Sequence, residues 1–156
     1  MTQQGTSEVG MRVLAVDDEA PARAELAYLL ERDPRIATVL TASDGAEALR
    51  MLETTQVDAL FVDIRMPGLD GLDLARVLRR FAAPPAVVFV SAYDNHALEA
   101  FDLRAVDYLM KPVREERLAE AVGRVVDARI RPVVAEPVAT TPPEDDDETI
   151  AVELGG

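Results

Sequence analysis

The run from Val57 to Gly71, VDALFVDIRMPGLDG, carries the decision about the fold. Ala59 to Val62 are apolar without a break, whereas a strand with one wet face alternates apolar and polar residues; an unbroken run points to burial on both faces. The run stops on Asp63, and Met66-Pro67-Gly68 and Asp70-Gly71 supply turn residues. A helical stretch over 71–81 follows. The unit is therefore strand, carboxylate, turn, helix, with the acid at the C-terminal end of a buried strand.

The same unit recurs on either side. RVLAVD (12–17), ATVLTA (37–42), VDALFVD (57–63), AVVFVS (86–91) and VDYLM (106–110) read as strands. Helices are predicted over 20–32, with Pro21 in the first turn, over 44–53 behind Asp44 as cap, and over 71–81, 95–103 and 114–129. In the last of these Leu118, Ala121, Val122 and Val125 fall at i, i+3, i+4 and i+7 and form one apolar face. Strands buried on both faces and joined by helices pair in parallel with right-handed crossovers. The expected fold is α/β, a doubly wound flavodoxin-like sheet of five strands in the order 2-1-3-4-5, which sets the first strand beside the third.

Composition narrows the function. The 156 residues are enough for one ordinary domain and a tail. The domain is expected over 11–130, after a flexible start at 1–10. A proline-rich and acidic linker is expected over 131–148. With no cysteine there is no disulfide framework and no thiolate metal site. The start MTQQGTSEVG lacks the features of a signal peptide, and no apolar run reaches membrane-spanning length, so a cytoplasmic location without a membrane partner is expected. The net charge of −13 has no compensating basic stripe, and residues 132–156 hold seven acids and no base. Such a chain does not grip the phosphates of nucleic acid by itself.

Ligands of open α/β sheets bind beyond the C-terminal ends of the strands. Strand one ends in Asp17-Asp18-Glu19, strand three in Asp63 and strand four in Ser91, and strand five runs into Lys111, the only lysine of the chain. With strands one and three adjacent, three carboxylates crowd together, and like charges repel unless a cation or a proton sits among them. A hard divalent ion answers this, and Mg2+ suits a set of carboxylates, carbonyls and water better than zinc does. His96 is the only imidazole and is expected on an exposed helical turn without a ligand role. Asp63 is then placed to take a phosphoryl group as an acyl phosphate, with Ser91 and Lys111 donating to its oxygens. Lysine, a compact point charge on a flexible stem, reaches one small anion where the flat arginine fork does not fit. Singly these residues have plainer roles: Asp17-Asp18-Glu19 or Ser91 as helix caps, Asp63 as a turn residue, Lys111 as a surface cation.

VDDE, LFVDIRMPGLDG, VFVSAYD and DYLMKP, in this order and spacing, resemble the receiver domain of bacterial two-component response regulators over about residues 11–130. The resemblance implies that Asp63 is the phosphoacceptor and that Asp18, Asp63 and the backbone carbonyl of Arg65 hold Mg2+, with Asp17 acting through water. It implies that Ser91 and Lys111 contact the phosphoryl group, that Lys111–Pro112 is cis, and that Ser91 and Tyr108 form the switch. The donor would be a phosphohistidine on a sensor histidine kinase. The domain would catalyse its own Mg2+-dependent phosphorylation and slow dephosphorylation, without turning over a separate substrate. The output would be a homodimer through the face of the fourth helix, fifth strand and fifth helix, around Ala97, Phe101, Arg104 and Asp107.

SAYDNHALEAFDLRAVDYLMKPV further resembles receivers attached to LytTR-type DNA-binding domains, and TIAVELGG (149–156) resembles the start of such a domain. The resemblance implies a transcription regulator truncated before its DNA-binding part, through which alone it would meet DNA. Two other readings stand beside it. One is a pseudo-receiver that binds partners without phosphorylation. The other is an aspartate-nucleophile phosphatase of the haloacid dehalogenase type, against which the adjacent Asp17-Asp18 and the separate Asp63 argue.

Overall fold

A computed structural model describes residues 10–130. The expectations for 1–9, for the linker from 131 and for 149–156 lie outside the described residues. The chain divides within its last helix, after Val125, and the sheet and the site lie in the unit that ends there.

Five strands alternate with five helices: β1 (Met11–Val16), α1 (Ala20–Glu31), β2 (Ile36–Ala42), α2 (Gly45–Thr54), β3 (Ala59–Asp63), α3 (Gly71–Leu78), β4 (Ala86–Ser91), α4 (Ala97–Asp102), β5 (Asp107–Met110) and α5 (Glu115–Ile130). The strands form one sheet in the order β2-β1-β3-β4-β5, and every neighbouring pair is parallel. This is the flavodoxin-like order expected from the sequence.

The central strand is buried along its whole length, as its unbroken apolar run requires. Phe61 and Phe89 are the largest of the fully buried side chains, one on β3 and one on β4. From α5, Leu118, Ala121, Val122 and Val125 are all buried, which agrees with their helical spacing. ATVLTA behaves differently. β2 is an edge strand, and of its seven residues only Ile36 and Ala42 are buried. β-branched residues suit an edge as well as a centre, so composition alone did not separate the two.

Local signals set several boundaries. Asp44 caps α2 by accepting a hydrogen bond from the Glu47 amide at 2.8 Å. Asp70 caps α3 in a reciprocal pair with Asp73. Over α3 the sequence pattern predicts a helix to 81, but regular helix ends at Leu78. The amides of Arg80 and Phe81 bond three residues back, to Val77 and Leu78, a tightening common where a helix ends. Pro84 and Pro85 follow closely and exclude further helix. β3 starts at Ala59 rather than at 57, because the Asp58 carboxylate accepts from the Arg12 amide at 2.9 Å where a ladder carbonyl would otherwise do so. The other ends differ from expectation by one or two residues. Among the described residues no helix is long and apolar enough to cross a membrane.

Candidate functional site

The strand register builds the site. Val16 is paired with Val62, so Asp17 and Asp63 emerge at adjacent strand ends. Asp63 is paired with Val90, and Ser91 with Met110, which brings Ser91 and Lys111 to the same edge. Residues remote in sequence are thus gathered because each stands at the point where its strand stops.

Carboxylate oxygens of Asp17, Asp18 and Asp63 lie within 4.8 Å of one another, with Asp17 and Asp63 buried and Asp18 exposed. The Lys111 ammonium donates to Asp17 at 3.0 Å and to Asp63 at 3.2 Å. Formally three acids and one ammonium leave two negative charges, which a divalent cation balances. Two buried oxygen donors and one open to solvent suit a hard ion that keeps several waters. The donor set therefore fits Mg2+.

Electrostatics follow from this packing. Burial pushes the Asp63 carboxyl above its usual range; the Lys111 charge opposes that shift and the Asp17 charge adds to it. Burial pulls the Lys111 ammonium down, but its bonds to Asp17 and the charges of Asp63 and Asp17 outweigh this, and its pKa is raised. Lys111 is thus held as a cation.

Asp63 does take a turn role, its carboxylate accepting from the Arg65 amide at 3.3 Å, but the other plainer roles do not match the geometry. Glu19 occupies the N-cap position of α1 but makes no side-chain capping bond. The Asp17 carboxylate instead accepts from the Glu19 amide at 2.9 Å, and its backbone carbonyl accepts from the Arg23 guanidinium at 2.9 Å. Ser91 is fully buried and caps no helix, since His96 holds the N-cap position of α4. The Ser91 Oγ accepts from the Tyr93 amide at 3.0 Å. Lys111 points inward to two carboxylates rather than outward from an edge. The Lys111–Pro112 peptide bond is cis.

His96 was expected on an exposed turn and is instead largely covered. Its Nδ1 lies 2.9 Å from the Glu99 carboxylate, and its side chain is 21% exposed.

Tyr93 was missed. Its carbonyl accepts from the Tyr108 hydroxyl, its amide donates to Ser91, and its ring lies under the Arg65 guanidinium at 4.9 Å. The only sequence signal was its place two residues after Ser91. Gly71 was seen only as a turn residue. A Cβ there would lie 2.4 Å from the Asp63 carbonyl oxygen and 2.9 Å from the Ile64 Cα. Gly71→Ala is therefore expected to cost about 1–3 kcal/mol, as overpacking does. Because the clash falls on the backbone of Asp63, the same variant should bind Mg2+ more weakly. Denaturant unfolding and a Mg2+ titration read the two effects, and unchanged values in both would show that the loop yields without strain.

The chain matches the family model described as the response regulator receiver domain over residues 13–123. It is 50% identical over 115 residues to the positive alginate biosynthesis regulatory protein of Pseudomonas aeruginosa, covering 73% of this chain and 46% of that one. It is 41% identical over 114 residues to the sensory transduction protein LytT of Bacillus cereus, with 73% and 46% covered. The chain spans about half the length of these relatives. Among solved structures, the response regulatory domain of mrkE from Klebsiella pneumoniae superposes with a TM-score of 0.72 at 38% identity, covering 78% of this chain and 99% of that one. A sheet of this order with its acids at the strand ends, matched across most of its length to such relatives, belongs to the receiver domains of the response regulators.

Proposed function

We propose that the domain takes a phosphoryl group onto Asp63 from a phosphohistidine of a sensor histidine kinase. The observation that carries this is the Lys111 ammonium within hydrogen-bond distance of both buried acids, Asp17 and Asp63, at the C-terminal edge of the sheet. In the transfer, an Asp63 carboxylate oxygen attacks phosphorus, the P–N bond to the donor imidazole breaks, and the departing ring nitrogen keeps the electron pair. The product is an acyl phosphate, which water can later hydrolyse. Asp18, Asp63 and the Arg65 carbonyl would hold Mg2+, with Asp17 acting through water, and the ion would supply neutralisation of the phosphoryl oxygens. Lys111 covers one oxygen from the opposite side, and the Ser91 hydroxyl is released from the Tyr93 amide to donate to another. Intact mass after incubation with acetyl phosphate and Mg2+ tests the reading, with the gain of one phosphoryl group as the expected result. A chain that stays at its starting mass would favour a pseudo-receiver.

Lys111→Arg keeps the charge but replaces a point donor with a broad fork. Losing a charged hydrogen bond costs roughly 1.5–3 kcal/mol, so incorporation should slow about ten- to a hundredfold. A parental rate in this variant would remove Lys111 from the phosphoryl contact.

The switch we infer runs through one residue. Tyr93 offers its amide to Ser91 and its carbonyl to Tyr108, so movement of Ser91 toward a phosphoryl group disturbs the anchor of the Tyr108 hydroxyl. The output surface is α4 with β5 and α5, where Leu98 and Phe101 are 74% and 78% exposed. The charged part of the expected face is different from the reading based on sequence. Asp107 is held by Arg117 at 2.7 Å and by Arg124 at 2.5 Å within the same chain. These two partners and the Tyr108 amide outweigh burial and keep its carboxyl below the usual range. Dimerisation would thus rest on the apolar residues of α4, each meeting its own copy across a two-fold axis. Sedimentation should show more dimer with phosphoryl mimic than without, and Phe101→Glu should return it to monomer. A monomer throughout at high concentration would refute this output. In the full regulator, we propose, a cytoplasmic protein pairs two LytTR-type DNA-binding domains in this way to control transcription.

A further inference from the structure

A cavity of about 250 Å3 opens where the C-terminal ends of α3 and α4 meet the start of β4. Asp63 lies beside Val90, near the end of β4, whereas the cavity lies against the first two residues of that strand, Ala86 and Val87. The two sites are therefore at opposite ends of the sheet. Leu78, Val87 and Leu103 give the cavity an apolar wall. Its charged lining residues are Arg79 and Arg104, and no acid lines it. In a chain of net charge −13 this runs against the general balance. Both arginines are exposed, and among the described ion pairs neither has a carboxylate partner.

The backbone of Arg104 adds an independent observation. Leu103 caps α4, and Arg104 follows it in the left-handed region, at φ 62°. The Arg104 amide donates to the Phe101 carbonyl at 2.9 Å and the Ala105 amide to the Ala100 carbonyl at 3.1 Å. Glycine is the usual residue in this helix closure, because it has no Cβ to strain. Arginine thus stands where glycine would be less strained, and it lines the cavity.

We propose that this cavity binds a small organic phosphate monoester or phosphonate, its apolar body against Leu78, Val87 and Leu103 and its dianionic head between Arg79 and Arg104. Two guanidiniums balance a head of two charges, and each fork matches two of its oxygens. Sites for drug-sized ligands hold about 300–1,000 Å3, so the body here is a single ring or a short chain. A bound ligand would join α3 to α4, the helix that carries Phe101. The site does not rest on the reading of Asp63 as acceptor.

The experiment uses the full chain in chelator, so that no divalent ion draws an anion to the acidic cluster, and follows amide shifts by NMR. The probes are phenylphosphonate, whose C–P bond prevents transfer to Asp63, inorganic phosphate as the head alone and benzyl alcohol as the body alone. Phenylphosphonate should shift the Val87, Leu103 and Arg104 amides with a Kd at least about tenfold below that of either part, since it gains both the charge and the burial. Arg79→Gln should raise this Kd about five- to tenfold through loss of a charge-assisted fork. Arg104→Gly should raise it as much while Tm stays at or above the parent's, because glycine relieves the left-handed position. An arginine kept only to close the helix would give the reverse, a lower Tm with Kd unchanged, and would overturn the proposal. Equal affinity for the three probes, shifts centred on Asp63 and Lys111, or a parental Kd in Arg79→Gln would overturn it as well.

Discussion

Asp63→Asn is expected to gain no phosphoryl group from acetyl phosphate in Mg2+, where the parent chain is expected to gain one. The amide keeps the size of the carboxyl but lacks the nucleophilic anion, so loss should be complete rather than graded. The fold should survive it. Burial is the main reason the Asp63 carboxyl sits above its usual range, with Asp17 adding to the effect and Lys111 opposing it. At neutral pH its ionised form is therefore held at a cost, and a neutral side chain of equal size removes that cost. Thermal unfolding in chelator should give a Tm at or above the parent's. A mass gain that persists undiminished in a folded Asp63→Asn chain would take the acceptor role away from this residue.

Removing Mg2+ should have an effect of similar size. Without a divalent ion, the three carboxylates are opposed by Lys111 alone and an incoming dianion meets net negative charge. Charge stabilisation by a bound metal is worth several kcal/mol, so the initial rate in chelator should fall by about a hundredfold or more. Restoring Mg2+ should restore the rate in proportion to occupancy. Asp18→Asn should shift that titration to higher Mg2+, because Asp18 is the solvent-facing member of the cluster. Equal rates with chelator and with Mg2+ would leave the acidic cluster without its proposed cation.

How much of this was legible in the chain depended on the kind of constraint. The β3 run was read correctly because burial on both faces leaves a direct mark on composition. The strand-end residues were legible for a related reason: in a parallel sheet the last residue of a strand has a defined place, so Asp63, Ser91 and Lys111 could be put on one edge before any distance was known. β2 was not seen as half exposed, because threonine and valine suit either setting. Tyr93 escaped because its part depends on where a ring and a guanidinium turn across neighbouring loops, which no periodicity encodes. Asp107 looked free to meet another copy, since nothing local shows that Arg117 and Arg124, a helix later, reach back to it. His96 was misplaced because only three dimensions reveal what covers a short helix.

The bond from Lys111 to Asp17 spans 94 residues and joins the first strand to the last. A chain emerging from the ribosome exposes its acids long before the lysine that steadies them, and contacts so distant in sequence form late in folding. On the proposed reading, competence to take a phosphoryl group would thus coincide with completion of the domain. A nascent or partly unfolded chain holds the aspartates but not the pocket, and would stay silent to a donor.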